Sequence, residues 1–254
     1  MILDGKALSK QIQEEIKTSV DQMVKAALYR FNEDISETEL LEKVKELNEN
    51  EDIDGFIVQL PLPKHIDANK VNLAIDYRKD VDGFHPINIG KMVQNLPSYL
   101  PATPYGIIQL LERNNVETSG KECVVVGRSN IVGSPMSILM ARNAKVGNCT
   151  VTLTHSRTKN LIEHTKRADI LVVALGIPNF ITADMVKDGV VVIDVGITRV
   201  EDASKKRGFR LVGDVNYEEV APKSSWITPV PGGVGPMTVT SLLMNTLQAA
   251  KQRG

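Results

Sequence analysis

Hydrophobic residues near the start of the chain recur at every fourth position, which predicts one buried face of an amphipathic helix over about residues 6–25. The residues of this face are Leu8, Ile12, Ile16, Val20 and Val24. A second helix is predicted after Ser36, because Ser36-x-x-Glu39 has the spacing of a capping box and precedes another apolar face. The chain therefore begins with helices that each bury one side.

Two short apolar runs in the same half predict β-strands. One covers residues 28–31, and the other covers residues 55–58 and ends in a proline-containing peptide at residues 59–63. Proline supplies no N–H for a strand ladder, so the second strand should stop there. With the two helices, these strands predict an alternating α/β order.

The second half alternates more regularly. A helix is predicted near residues 104–114, and four apolar runs after it predict parallel strands. These runs cover residues 122–126, 150–154, 170–175 and 190–195. A last helix is predicted from Pro236 to the C-terminus, because proline suits the first turn of a helix.

The length of the chain predicts two α/β domains, and its composition indicates neither a membrane span nor a nucleic-acid partner. For 254 residues with 42% hydrophobic content, we expect one domain over residues 1–118 and a second over residues 119–235. The last helix, residues 236–254, is expected to pack back on the first domain. A net charge of -1 argues against nucleic acid, and no apolar run approaches the ~20 residues of a membrane helix.

The two cysteines, Cys123 and Cys149, each lie within an apolar, strand-like run. Two such residues do not make a disulfide framework, which fits a reducing compartment. We therefore expect a soluble, cytoplasmic protein.

A glycine turn follows the strand at residues 122–126 and leads into a helix. Gly127, Arg128 and Ser129 open this turn, and Gly133 lies near the predicted start of the helix. A strand, a glycine turn and a helix N-terminus together suit a pyrophosphate, because backbone N–H groups and the helix dipole favour an anion. The spacing differs from the usual G-x-G-x-x-G, so a turn without a ligand remains an alternative.

The end of the next strand indicates which dinucleotide binds. NAD enzymes usually place an acidic residue there, whereas this chain has His155, Ser156 and Arg157. Ser156 can donate a hydrogen bond, and Arg128 or Arg157 can pair with a 2′-phosphate, so NADP is the predicted cofactor. Residues 119–235 are therefore predicted to form a Rossmann-like, NADP-binding domain. The alternative is that either arginine is a solvated surface charge. His155 has no second ligand-like neighbour, so no metal site is predicted.

Two further strand ends carry glycine, at Gly176 and Gly196. Ligands of parallel sheets bind at the carboxyl ends of the strands, and glycine allows a close approach of the backbone. Contact with a ligand is the favoured interpretation, and simple turns are the alternative.

Four peptides together identify a family. They are VQLPLP at residues 58–63, KDVDGF at residues 79–84, GRS at residues 127–129 and TPVPGGVGPMT at residues 228–238. In these peptides, and over almost its whole length, the chain closely resembles the methylenetetrahydrofolate dehydrogenase/cyclohydrolase family. The resemblance implies NADP-dependent oxidation of 5,10-methylenetetrahydrofolate, followed by hydrolysis of the methenyl product to 10-formyltetrahydrofolate.

The resemblance also implies where the site lies, which is a cleft between the two domains. Gln59 and Asp82 would be catalytic, and Asp82 would also anchor the pterin, because a carboxylate can accept hydrogen bonds from a ring N–H and an amino group together. Pro231 and Gly232 would border the folate, while Ile197 and Thr238 would contact the cofactor. A homodimer is expected on the same ground. Asp82-Gly83 is also a common turn pair and residues 228–238 could be a plain interdomain loop, so these alternatives stay open.

The chain departs from the family in one place. The family's general acid/base is the lysine of a Tyr-x-x-x-Lys segment, and none of the five tyrosines has a lysine four residues later. Residues 6–54 also contain neither glycine nor proline, so the first helix meets the predicted strand at residue 28 without a turn signal.

Two interpretations of this departure are open. Either the protein carries a segment near residues 25–28 that the 254-residue sequence omits, or the polypeptide lacks it. Loss of a central strand would expose apolar surface in a protein of marginal stability, which favours an omitted segment. If the segment is truly absent, a non-catalytic protein that binds NADP or folate becomes the better hypothesis. A different NADP-dependent dehydrogenase is the remaining alternative.

Overall fold

The computed structural model describes residues 1–20 and 27–253. Its α-helices are α1 (Gly5–Val20), α2 (Glu37–Glu49), α3 (Ala68–Ala74), α4 (Pro86–Val93), α5 (Ala102–Arg113), α6 (Gly133–Ala141), α7 (Leu161–Lys166), α8 (Tyr217–Val220) and α9 (Val234–Arg253). Its strands are β1 (Glu122–Val126), β2 (Thr150–Thr154), β3 (Ile170–Val173), β4 (Val190–Asp194), β5 (Thr198–Glu201), β6 (Phe209–Val212) and β7 (Ser224–Ile227).

The chain divides into two compact units. The first comprises Met1–Gln11 and Thr103–Thr240, and the second comprises Ile12–Ala102 and Ser241–Gly254. The domain bounds expected from the sequence remain a prediction. In the described part of the chain, no helix has the length and apolar character needed to cross a membrane.

A parallel sheet forms the centre of the first unit, as the alternating pattern predicts. Its strand order is β2-β1-β3-β4-β7, and every neighbouring pair runs parallel. The strands β3 and β4 are buried along their whole length, which explains their unbroken apolar sequences. The strand β1 lies between β2 and β3, so the order of the strands along the chain reverses beside it, where doubly wound sheets bind their ligands.

The core of this unit lies against the sheet. Leu171 in β3 is fully buried in a cluster that includes Val124, Val192 and Ile227. Removing its side chain to alanine is expected to lower the free energy of unfolding by about 2–5 kcal/mol, because the transfer energy is lost and a cavity remains. Urea unfolding followed by the fluorescence of the single tryptophan, Trp226 in β7, measures this change.

The control for this prediction is Ile162→Ala in α7, whose side chain is 43% exposed. An exposed substitution of this kind usually changes stability by less than about 0.5 kcal/mol. Equal losses in the two variants would contradict the burial of Leu171.

The second unit is mainly helical. The helices α2 and α3 pack through a cluster that includes Leu40, Val44, Val71 and Ile75. The capping box is confirmed at its serine, since the Ser36 hydroxyl accepts the backbone N–H of Glu39 at 3.1 Å.

Both strand predictions in this unit need correction. Residues 28–31 form no strand, and the side chains of Leu28, Tyr29 and Phe31 are exposed. Residues 55–58 contribute only a single parallel bridge, between Phe56 and Asp80. A strand is stable only when a neighbour pairs with its backbone, and among the described residues of this unit no strand offers that pairing.

Candidate active site

The glycine turn after β1 is packed closely against the neighbouring strand ends. Gly127 has φ +112°, and a Cβ atom there would overlap the carbonyl oxygen of Ala174, the first residue after β3. Its N–H donates to the carbonyl of Thr154 at the end of β2, at 3.0 Å. Only glycine fits this position, because it alone combines positive φ with no side chain.

Ser129 organises the start of α6. Its hydroxyl accepts the N–H groups of Val132 at 3.1 Å and Gly133 at 3.4 Å, and its carbonyl accepts the N–H of Ser134 at 3.0 Å. The first donors of the helix are therefore already used within the turn.

Free backbone donors lie earlier, in the turn itself. Among the described residues, no hydrogen bond uses the N–H groups of residues 128–131, and Arg128, Ser129 and Asn130 are exposed. A run of unused N–H groups beside a glycine turn is suited to phosphate oxygens. The anion site predicted from the sequence thus rests on the turn more than on the first helical residues.

The neighbouring strand β2 ends in a turn that leaves two polar side chains in solvent. The His155 N–H donates to the Thr158 hydroxyl at 2.9 Å, and the His155 Nδ1 accepts the Arg157 N–H at 3.1 Å. Ser156 and Arg157 are exposed as a result. Because Val126 pairs with Thr154, the Gly127 turn and the Ser156 turn leave the sheet side by side. The structure therefore brings the Gly127 turn next to Ser156 and Arg157, as expected for a shared NADP site.

The proline- and glycine-rich loop at residues 228–238 is fixed from several sides within the first unit. The N-terminal segment pairs with it, since the N–H of Lys6 donates to the carbonyl of Gly232 at 2.8 Å. A Cβ atom at Gly5 would overlap the carbonyl of Gly233. Pro231 is exposed and Gly232 has φ +111°. The loop is rigid, which limits the entropy lost when a ligand binds.

Two residues predicted to contact the cofactor lie beside this loop. A Cβ atom at Gly235 would lie 3.3 Å from the Cδ1 atom of Ile197, whose side chain is 53% exposed. Thr238, in the first turns of α9, shares a hydrogen bond of 3.0 Å with the hydroxyl of Thr103.

Gln59 and Asp82 belong to the second unit, and both lie just beyond the same end of the parallel bridge between Phe56 and Asp80. Phe56 pairs with Asp80, so Gln59 and Asp82 each follow a bridge residue by a few positions in the same direction. The Gln59 amide donates to the carbonyl of Leu60 at 2.8 Å and is exposed. Among the described residues, no hydrogen bond uses the Asp82 carboxylate, so this group is available to a ligand.

Asp80 is a site residue that the sequence analysis did not single out. Its buried carboxylate accepts the N–H of His85 at 2.7 Å, the N–H of Gly83 at 3.2 Å and the amide of Asn88 at 3.0 Å. It therefore fixes the turn that carries Asp82. The D-x-D spacing was the available signal, but the depth of Asp80 is a tertiary property.

Burial raises the pKa of Asp82 to about 7, and the neighbouring charge of Asp80 contributes to the increase. Such an acid exchanges its proton near neutral pH, as an acid or base in catalysis must. Perturbed carboxylates of this kind concentrate at functional sites.

Two family models match the chain. The model "Tetrahydrofolate dehydrogenase/cyclohydrolase, NAD(P)-binding domain" matches residues 101–254. The model "Tetrahydrofolate dehydrogenase/cyclohydrolase, catalytic domain" matches residues 23–82. The two matches fall on the parts of the chain that carry the glycine turn and Asp82, respectively.

Curated relatives and solved structures agree with the family models. "Bifunctional protein FolD" of Cytophaga hutchinsonii is 60% identical, with 98% of both chains covered. The crystal structure of the FolD dehydrogenase/cyclohydrolase of Campylobacter jejuni has a TM-score of 0.93 at 40% identity, covering 100% of this chain and 99% of that chain. The Trypanosoma brucei FolD structure, complexed with NADP cofactor and inhibitor, has a TM-score of 0.91 at 33% identity, covering 99% of this chain and 97% of that one.

The alignments are longer than the chain. "Bifunctional protein FolD" of Flavobacterium psychrophilum is 52% identical over 289 aligned positions that cover 100% of this chain and 98% of the relative. Since the chain has 254 residues, 35 of these positions hold none of its residues.

The two family models, the high identity over nearly the full chain and the shared fold lead to one conclusion: this chain belongs to the tetrahydrofolate dehydrogenase/cyclohydrolase family.

Proposed function

We propose that this protein oxidises 5,10-methylenetetrahydrofolate with NADP⁺ and hydrolyses the resulting 5,10-methenyltetrahydrofolate to 10-formyltetrahydrofolate. The observation that carries the proposal is the available, half-buried carboxylate of Asp82 in a chain 60% identical to a bifunctional FolD protein. When bound, NADP⁺ supplies the acceptor for the hydride that leaves the methylene carbon. The hydrolytic step adds water to the methenyl carbon and opens the ring, with release of a proton.

The residues of the first unit fit the cofactor. The Gly127 turn offers unused N–H groups for the pyrophosphate, and the space that a side chain would fill at Gly127 is already taken by Ala174. Ser156 and Arg157 stand where an acidic residue would select NAD, and Ile197 and Thr238 lie beside the loop at residues 228–238. In the second unit, Asp82 would anchor the pterin, with Gln59 at the same end of the bridge. Pro231 and Gly232 would border the folate.

The direct test measures both reactions with the purified protein. NADPH formation from 5,10-methylenetetrahydrofolate reports the dehydrogenase, and the decay of added methenyltetrahydrofolate reports the cyclohydrolase. We expect both activities. NADP binding without either activity would instead support a non-catalytic binding protein, and turnover of another substrate class would support a different dehydrogenase.

Preference for NADP over NAD is expected to depend on the exposed arginines. Replacing Arg128 or Arg157 with alanine should weaken NADP⁺ binding by about tenfold, the size of one charge-assisted hydrogen bond to a phosphate. NAD⁺ binding should not change, because NAD⁺ lacks the 2′-phosphate.

Isothermal titration calorimetry measures both affinities, with Arg207→Ala as the matched control in an exposed position of the same unit. A thermal-shift comparison of NADP with NAD complements it. Equal stabilisation of the unaltered protein by the two cofactors would contradict the assignment of Arg128 and Ser156.

We also propose that the active protein carries a further segment of about 35 residues between α1 and Leu28, which includes the family's Tyr-x-x-x-Lys. Three observations support it: the 35 aligned positions without a counterpart, the missing turn signal in residues 6–54, and the exposed side chains of Leu28, Tyr29 and Phe31. A strand in that segment would pair with residues 28–31 and cover them. Intact mass spectrometry tests the proposal, and a mass near 27.9 kDa would contradict it.

The remaining expectations concern the assembly and the cellular compartment. We propose a homodimer on the basis of the family resemblance, to be tested by sedimentation. A cytoplasmic location agrees with the two cysteines, which are free and buried, and the net charge of -1 supports the absence of a nucleic-acid partner. We also propose the domain bounds 1–118 and 119–235, with the last helix, residues 236–254, packed on the first domain. One contact supports the packing of this helix: the side-chain amide of Asn245 in α9 donates to the carbonyl of Val81 at 2.8 Å, within the second unit.

A further inference from the structure

Two buried carboxylates lie together at the carboxyl end of β4. Asp194, the last residue of that strand, is 4% exposed, and Asp214, in the turn after β6, is fully buried. Asp194 accepts the backbone N–H groups of Asp214 at 2.9 Å, Val215 at 3.0 Å and Gly196 at 3.1 Å. These bonds join the strand end to the two turns that follow it.

Asp214 is bound to a different part of the sheet. Its Oδ2 atom accepts the N–H of Leu175 at 2.6 Å and the N–H of Gly176 at 2.9 Å, in the turn after β3. Its Oδ1 atom is buried and has no hydrogen-bond partner among the described residues. One oxygen therefore fixes a turn, while the other is left without a donor.

The backbone around the pair leaves room only for the carboxylates. A Cβ atom at Gly196 would overlap the Asp214 carboxylate, and a Cβ atom at Gly213 would overlap the Oδ2 atom of Asp194. The second strand-end glycine noted in the sequence thus accommodates a buried acid as well as a turn.

The pair also reaches the proline- and glycine-rich loop. The N–H of Asp194 donates to the Thr228 hydroxyl at 2.8 Å, which donates in turn to the Asp194 carbonyl at 3.3 Å. Asp194, Ile197 and residues 229–235 line a small cleft. The carboxylate pair therefore fixes three segments around one small cleft.

Among the described residues, no salt bridge joins a cation to Asp194 or Asp214. Burial raises the pKa of Asp194 to about 7, opposed by its backbone hydrogen bonds and assisted by the charge of Asp214, which is the charged neighbour with the largest effect. Above neutral pH, two like charges thus lie close together in a medium that screens them poorly.

The sheet order places this pair on the side of β1 where the nicotinamide half of a dinucleotide would lie. A dinucleotide would lie across the carboxyl ends of the strands, and the predicted 2′-phosphate contacts at Ser156 and Arg157 follow β2. In the order β2-β1-β3-β4-β7, the strand β4 lies on the other side of β1. The other half of the cofactor would therefore extend toward β3 and β4.

We propose that Asp194 and Asp214 position the segments around the nicotinamide and favour its cationic, oxidised form over the neutral, reduced form. This inference rests on the proposed binding of NADP. The nicotinamide ring of NADP⁺ carries a positive charge and that of NADPH does not. A buried negative pair nearby stabilises the former selectively, which favours loading of the oxidant and release of the product.

The test compares the affinities of NADP⁺ and NADPH by calorimetry, over a range from about pH 6 to about pH 8.5 that spans the pKa of Asp194. In the unaltered protein, the ratio of the NADPH to the NADP⁺ dissociation constant is expected to rise with pH by about tenfold, the size of one charge interaction inside a protein. The rise should be centred near the pKa of Asp194, about 7.

Asp214→Asn is the informative variant. Its amide oxygen can still accept the N–H groups of Leu175 and Gly176, while its NH₂ group takes the place of the unpartnered Oδ1. Removing the like charge should shift the midpoint of the pH dependence below that of the unaltered protein and reduce the ratio at high pH. Asp188→Asn, at an 87% exposed side chain of the same unit, is the control.

A flat ratio in the unaltered protein would overturn the inference without any substitution, even if the variants fail to fold. An unchanged midpoint in Asp214→Asn would also overturn the inference. A purely structural role predicts that the variant weakens the binding of NADP⁺ and NADPH equally and leaves the pH dependence of their ratio unchanged. If the unaltered protein binds neither cofactor, the proposed function fails as well, so the two failures are distinguishable.

Discussion

Replacing Asp82 with asparagine is expected to weaken folate binding by about 100-fold or more, while making the protein more stable at neutral and alkaline pH. The first effect follows from the change in hydrogen-bonding groups. The carboxylate would accept hydrogen bonds from two pterin donors, whereas the asparagine amide keeps one acceptor oxygen and places an NH₂ donor against the other pterin donor. A hydrogen bond to a charged group contributes about 1.5–3 kcal/mol, so the loss of two such bonds corresponds to about 100-fold or more.

The second effect of Asp82→Asn follows from linkage. The pKa of Asp82 is raised in the folded protein from 3.8 to about 7, so the unfolded chain loses this proton more readily than the folded protein does. Asp82 therefore opposes folding increasingly as pH rises from about 4 to about 7, and the penalty stays constant above that range. The stability advantage of the variant should grow over the same interval.

Titration calorimetry with tetrahydrofolate and thermal unfolding across this pH range measure the two effects. Asp52→Asn is the control, because Asp52 lies on an exposed surface of the same unit. An unchanged folate affinity would refute the proposed role of Asp82. A difference in stability between the variant and the unaltered protein that does not depend on pH would contradict the raised pKa of Asp82 in the folded protein.

Gly133→Ala is expected to lose NADP⁺ binding by about 100-fold and to destabilise the first unit by about 1–3 kcal/mol, the usual range for overpacking. The added Cβ would overlap the carbonyl of Gly127 and lie 2.9 Å from the Cα atom of Arg128. Because these neighbours are backbone, the turn itself must move. The N–H groups proposed to bind the pyrophosphate would then be misplaced.

Gly90→Ala is the matched control for this variant. Gly90 lies inside α4, and a Cβ atom there would meet nothing within 4 Å. It should leave NADP⁺ affinity unchanged and keep or slightly raise stability, since alanine favours a helix over glycine. Calorimetry and unfolding of both variants decide the matter, and retained NADP⁺ affinity in Gly133→Ala would exclude the turn as the cofactor site.

The surroundings of the predicted cofactor residues could be inferred from the sequence to a greater extent than the surroundings of the buried carboxylates. The strand, glycine turn and helix at Gly127 follow one another along the chain, so their relation is local. By contrast, the carboxylate of Asp80 fixes the turn that carries Asp82 through His85 and Asn88. Asp194 and Asp214 meet across 20 residues and an intervening hairpin. No pattern in the sequence distinguishes these buried acids from ordinary surface aspartates.

The sequence by itself determined the family, the parallel sheet and the positions of four of its strands along the chain, and these predictions are confirmed. Apolar runs, glycine turns and long motifs are local features, so they can be recognised in the sequence without knowing which residues pack against them. Only the tertiary structure showed that β7, with its two serines, joins the sheet edge and that residues 28–31 have no partner strand. Strand pairing, burial and the perturbed carboxylates depend on neighbours that are distant in sequence, and this is why they required the folded chain.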